Sequence, residues 1–156
     1  MIALPKRGSA GVARGNLAPG PEAEQLYASE GPHRMLTALH HVQLAMPEGA
    51  EDQARAFYNG LLGLTEVDKP AALRARGGVW FEQAGLRLHL GTETPFRPAC
   101  KAHPAFQTDD LDNLDNLAAR LTGAGVDLVH DAELPGYRRF YAGDPFGNRI
   151  EFLQVK

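Results

Sequence analysis

Apolar positions follow two rhythms along this chain, and the rhythms alternate in the same order twice. Val42, Leu44 and Met46 alternate with Gln43 and Ala45, the two-residue period of a strand that turns His41 and Gln43 to its other face. Ala54, Phe57, Tyr58, Leu61 and Leu62 then keep the three-and-four spacing of an amphipathic helix, stopped by Gly63. Leu64 to Val67 is a short strand, Arg74 to Gly78 a loop, and Val79-Trp80-Phe81 and Leu86 to Leu90 a strand pair turning near Ala84-Gly85. Thr92 to Ala102, with Pro95 and Pro98, is a linker.

The second half repeats the order. His103 to Gln107 is a strand that Pro104 confines to an edge or a strand start. Asp109 and Asp110 are helix caps for a stripe of Leu111, Leu114, Leu117 and Leu121, closed by Gly123 and Gly125. Val126 to Val129 is a strand. Arg138 to Phe152 is two strands joined by a turn at Asp144-Pro145 and Gly147-Asn148, with Ile150 and Phe152 on one face and Arg149 and Glu151 on the other.

At an offset of 62 residues His41 falls on His103, Gly63 on Gly125, Arg87 on Arg149 and His89 on Glu151. The helix stripes do not coincide at that offset, which requires small compensating gaps inside each unit. The expected fold is α+β. Two βαβββ modules, about residues 36–92 and 102–156, form an eight-stranded, cup-shaped mixed sheet with helices on its outer face.

Within that cup, His41, His89, His103 and Glu151 share the face opposite the apolar side of their strands. A carboxylate such as Glu151 is costly to bury without a partner. Taken singly, each histidine reads as a hydrogen-bonded wall residue. Taken together at repeat-equivalent positions, three imidazoles and a carboxylate make a ligand set for a divalent first-row metal: Ni, Co, Fe, Mn or Zn. Gln43, Arg87, Gln107 and Arg149 line the same face as candidate substrate contacts, and Trp80 is core or pocket wall. His40 is expected on the helix-packing face with Val42, and His33 and His130 in loops or on the surface. The cluster Arg97, Lys101, Arg138 and Arg139 is either solvated surface or a grip on an anionic substrate, with Arg138 the residue assigned to that grip.

Composition narrows the partners. A chain of 156 residues is one domain in length, and 22% charged residues with a net charge of −3 give no electrostatic footprint for nucleic acid or an anionic membrane. The lone Cys100 excludes an internal disulfide and suits a reducing cytoplasm; beside Lys101 it reads as an incidental thiol. No apolar run reaches a membrane span of roughly 20 residues. Residues 1–34 are dense in Gly, Ala and Pro without a periodic face. They read as a flexible extension and a poor secretory signal, with the folded domain at 35–156.

Four segments carry a resemblance: His-His-Val-Gln-Leu-Ala-Met-Pro (40–47), Ala-Phe-Tyr-Asn-Gly-Leu-Leu-Gly-Leu (56–64), His-Pro-Ala-Phe-Gln-Thr-Asp-Asp-Leu-Asp (103–112) and Asp-Pro-Phe-Gly-Asn-Arg-Ile-Glu (144–151). The chain resembles the vicinal oxygen chelate superfamily, which holds glyoxalase I, extradiol dioxygenases, fosfomycin-resistance enzymes and bleomycin-resistance binding proteins. The resemblance implies paired βαβββ modules around a divalent metal on His41, His103 and Glu151. His89 stands where glyoxalase I has a further ligand, usually Glu. It also implies a small-molecule substrate and a homodimer, in some members with the pocket shared between chains. The implied activity is a lyase or isomerase like glyoxalase I, with Glu151 as the catalytic proton carrier. An Fe(II) dioxygenase or a metal-free drug-binding protein is the alternative.

Overall fold

The alternation of periods becomes eight strands and three helices in the computed structural model, which describes residues 36–156. Module one runs β1 (Val42–Met46), α1 (Glu51–Ala54) continued by a π-helical stretch (Arg55–Leu61), β2 (Thr65–Val67), a short α2 (Ala71–Arg74), β3 (Val79–Gln83) and β4 (Leu86–Thr92). Module two runs β5 (Ala105–Gln107), α3 (Leu111–Gly123), β6 (Leu128–Asp131), β7 (Tyr137–Gly143) and β8 (Arg149–Val155). The segment read as an amino-terminal extension, His33 included, lies outside the described residues, as does the reading of it as a poor secretory signal. No helix among the described residues is long and apolar enough to cross a membrane.

The modules share one topology. Each forms a four-stranded mixed sheet, in the order β1-β4-β3-β2 and β5-β8-β7-β6. In both, the first strand pairs parallel with the last, Val42 facing Leu88 in one and Ala105 facing Glu151 in the other. The first and last strands of each repeat are therefore neighbours, with His89 on β4 and Glu151 on β8, and His41 and His103 just before β1 and β5. Pro104 precedes β5, an edge strand, where a missing N–H costs no ladder bond.

One apolar cluster spans both modules, with Met46, Phe57, Tyr58, Phe81, Leu88 and Leu90 joined to Leu114, Leu121, Phe140, Ile150 and Phe152. Asp110 caps α3, its carboxylate accepting from the Asn113 N–H at 2.7 Å. Both main helices are followed by glycine in the left-handed region, Gly63 at φ +76° and Gly125 at φ +80°. The π-helical stretch explains the misfit of the two helix stripes. Leu62 N–H bonds Phe57 C=O at 2.9 Å, a five-residue step, and this wide turn shifts the apolar register of the first helix only.

A buried polar knot ties the modules together. Asn148 Nδ2 donates to the Ala45 C=O and to Asp144 Oδ2, both at 2.8 Å, while its Oδ1 accepts from the Ala99 N–H at 2.9 Å. Asp144 Oδ1 takes the N–H groups of Phe146 and Asn148, closing the Asp-Pro-Phe-Gly-Asn turn. The turn thus anchors β8, and with it Glu151, to β1.

Candidate functional site

The faces of the two sheets turned away from the core collect the polar residues. On β8, Ile150 and Phe152 enter the core and Glu151 points to the other side, 6% exposed. Glu151 Oε2 lies 3.1 Å from His103 Nε2, and Glu151 Oε1 accepts from Arg139 Nη1 at 2.9 Å. His103 Nδ1 lies 2.8 Å from the Lys101 C=O, so it carries the ring proton and donates it there. A neutral His103 then presents a bare Nε2 to a carboxylate oxygen. Two acceptors at that distance repel each other unless a cation, either a proton or a metal, sits between them. The second-nitrogen bond to a carbonyl is also the arrangement that orients a metal-ligating imidazole.

The other pair lies in module one. His41 and His89 stack with ring centroids 4.3 Å apart, and Trp80 stacks on His89 at 3.9 Å and 6°. Desolvation by burial, then the neighbouring His41, lowers the His89 pKa from its ordinary value and keeps the ring neutral. Arg87 Nη1 donates to His40 Nε2 at 2.9 Å, and His40 Nδ1 lies 3.0 Å from His41 Nδ1. An arginine only donates, so a neutral His40 holds its proton on Nδ1 and passes the bond to His41.

The four expected ligands therefore meet as two pairs, and their convergence on one point is absent from this arrangement. Among the described residues no three His, Cys, Asp or Glu side chains are placed to hold one metal ion. The physical reason is that His41 is held by its stack on His89 and by His40, while Glu151 is drawn to Arg139. The pairs are not remote, however. His41 and His103 border one cleft of about 490 Å³, together with Arg87 and Gln107.

The remaining candidates divide. Arg149 lies on the Glu151 face, its guanidinium 3.8 Å over the Tyr141 ring. Gln43 packs against Gly91, where an added Cβ would come within 2.8 Å of its amide nitrogen. Gln107 donates to Gln154 Oε1 at 3.1 Å. Arg87 is also paired with Glu82 at 3.4 Å.

Two placements depart from the sequence reading. Arg138 shares its face of β7 with the core residues Phe140 and Ala142 and pairs with Asp115 of α3, so it faces away from Glu151. The cation on the site face is Arg139. His40 is exposed and turned to Arg87 and His41, because the strand begins only at Val42 and its alternation does not reach back to residue 40. His130 is exposed, as expected.

Tyr141 and Asp131 were not singled out as site residues in the sequence, and Arg139 was named only within the basic cluster whose grip on an anion was assigned to Arg138. The missing signal is the parity of β7, where Phe140 and Tyr141 are both large and aromatic and give no clear inside face. Arg139 also binds Asp131 Oδ2 through Nη2 at 2.9 Å. Asp131 is held below the ordinary carboxylate range, first by the Glu133 N–H and then by Arg139.

Comparison with known proteins gives the family. The family model of the Glyoxalase/Bleomycin resistance protein/Dioxygenase superfamily matches residues 38–152. No curated protein sequence matches the chain significantly. Among solved structures, a protein from Bacillus anthracis assigned to the glyoxalase family is 42% identical, with a TM-score of 0.73 over 78% of this chain and 97% of that one. The fosfomycin resistance protein FosX from Listeria monocytogenes is 19% identical, with a TM-score of 0.63 over 78% and 96%. Lactoylglutathione lyase from Agrobacterium tumefaciens is 24% identical, with a TM-score of 0.57 over 77% and 95%. The last two speak for the fold alone. With a family model covering most of its length and a 42% identical relative, the chain belongs to the glyoxalase/bleomycin resistance protein/dioxygenase superfamily.

Proposed function

We propose that this protein is a divalent-metal-dependent lyase or isomerase acting on a small anionic substrate with two neighbouring oxygens. The observation that carries the reading is His103 Nε2 facing Glu151 Oε2 at 3.1 Å, a contact that a proton or a metal ion can bridge. His103, Glu151 and His41 would hold the metal, with His89 as a fourth ligand. When bound, the metal supplies Lewis-acid polarisation of a substrate oxygen. His103 is oriented for this by the Lys101 carbonyl, and Arg149 supplies positive charge on the same face for an anionic group. Glu151 is the residue nearest to a proton-transfer role. The reading implies a homodimer working in a reducing cytoplasm.

A metal-free binding protein is the second reading, favoured by the separation of the ligands into two pairs. The test is to load the protein in turn with Ni, Co, Fe, Mn and Zn and assay isomerisation of the methylglyoxal–glutathione adduct. Oxygen uptake with catechol is measured in parallel. Metal-dependent isomerisation supports the lyase reading, and oxygen uptake supports a dioxygenase. If no metal is taken up and no turnover is seen, the binding reading stands instead.

A further inference from the structure

We infer that the substrate of this site carries an uncharged aliphatic tail, and that a second cleft, beside α3, receives it. The inference rests on the reading above that the head of the substrate is an anionic group with two neighbouring oxygens. It names the substrate class as α-hydroxy or α-oxo acids of medium chain length. The second cleft, of about 680 Å³, lies between α3 and the turn from β3 to β4. It is continuous with the cleft that His41 and His103 border, because Leu86, Phe106 and Gln107 line both. Each cleft alone has the volume of a small-molecule site. Together they form one passage, with two imidazoles and Arg87 at one end and α3 at the other.

The chemistry changes along that passage. At the α3 end the walls are core residues: Leu64, Leu117 and Phe152 are buried members of the apolar cluster, and Leu62 and Phe106 pack against it. Such a surface gains from being covered by an alkyl chain. The rim is made of carboxamides, Gln83, Asn113 and Asn116. Its two charges, Asp109 and Arg120, are opposite in sign, so the rim selects no charged terminus.

The turn at the mouth of the second cleft points the same way. Gln83 pairs with Leu86 across a two-residue hairpin whose central residues, Ala84 and Gly85, have φ of +46° and +87°. The first of these positions usually holds Asn, Asp or Gly, which tolerate the left-handed region. Ala84 is the one non-glycine residue at positive φ among the described residues, and it lines the cleft. A methyl group there keeps the wall low at a cost in backbone strain, and strain of that kind gathers at ligand sites.

The test is calorimetric titration of the full chain with α-hydroxy acids of increasing length, from lactate to α-hydroxyoctanoate. Affinity is expected to rise about fourfold per added methylene until the cleft is full. Asn116 is exposed on α3 at the rim, so Asn116→Trp fills the cleft from a position that folding does not depend on. The gain with length should then vanish. Asn113→Trp, one turn earlier on the same rim, decides the matter if Asn116→Trp does not fold. Ala119→Trp, exposed on α3 but outside the cleft lining, should keep the wild-type gain. The inference is overturned if the wild type binds none of the acids or binds all equally. It is overturned too if the gain survives both rim variants or is lost in Ala119→Trp as well. Turnover plays no part in this readout, so the two readings fail separately. A gain abolished by Asn116→Trp, in a protein that turns over none of the acids, would sink the lyase reading and leave the cleft as the ligand site of a binding protein. Turnover without any dependence on length would sink the tail cleft alone.

Discussion

Tyr58 and Asp144 are 86 residues apart in the chain and joined by a buried hydrogen bond of 2.7 Å. The bond runs from the helix of module one to the turn before β8, so it fixes one module against the other through the strand that carries Glu151. The Asp144 carboxylate accepts from four donors, the Tyr58 hydroxyl, the Asn148 amide and two backbone N–H groups. Tyr58→Phe removes one of these and is expected to cost about 2 kcal/mol in urea unfolding. Asp144→Ala strands all four and should cost clearly more. Equal losses would mean that the knot carries no special share of the stability.

The same contact sets a pH dependence. Burial, and then the Asp144 charge, raises the Tyr58 phenol well above its ordinary 10.0, so the folded protein keeps it neutral. The contribution is complete below about pH 10 and is lost as pH rises beyond it, because only the unfolded chain then gives up the proton. Above that point the unfolding free energy falls by about 1.4 kcal/mol per pH unit from this group. Tyr58→Phe should show a slope shallower by one proton, measured by urea unfolding across alkaline pH.

Two glycines with similar backbone angles should behave differently on substitution. Gly85, at φ +87°, has open space around a hypothetical Cβ, and Gly85→Ala should cost about 1 kcal/mol from backbone strain alone. Gly78, at φ +80°, would place its Cβ 2.2 Å from the Leu90 carbonyl oxygen, a backbone atom in the centre of the sheet. Gly78→Ala should therefore cost about 3 kcal/mol or more. Thermal unfolding of the two variants side by side checks the order.

Arg149 and Arg138 are set apart by the faces they occupy. In metal-loaded protein, oxalate is a minimal anion with two neighbouring oxygens. Arg149→Ala should weaken its binding roughly tenfold or more by calorimetry. Arg138→Ala, on the helix side with Asp115, should leave oxalate binding unchanged. The opposite ranking would put the anion site on the wrong face of the sheet.

Much of this architecture was legible in the sequence because it is periodic. The alternation at Leu44 and Met46, with Val42 half-buried beside them, and the stripe at Leu114, Leu117 and Leu121 reappear as core-facing sides, and the offset that pairs Gly63 with Gly125 pairs two helix ends of the same left-handed geometry. The π-helical stretch was not legible beyond the gap it forced between the helix stripes, since a wide turn has no residue signature of its own. The parity of β7 failed for a local reason, with Phe140 and Tyr141 adjacent and both bulky. The pairing of Glu151 with Arg139, and of His41 with His89, depends on rotamers and on competing partners. Strand periodicity says which face a side chain takes but not which neighbour holds it.

The measurement that bears most directly on the metal-centre reading is the metal content of the full chain after loading with divalent ions and removal of the excess. It is made on the wild type, His103→Ala and Glu151→Gln. The account predicts a single transition-metal ion held per chain in the wild type and its loss in both variants, with each variant still folded. A wild type that retains no metal, or variants that retain as much as the wild type, would contradict it.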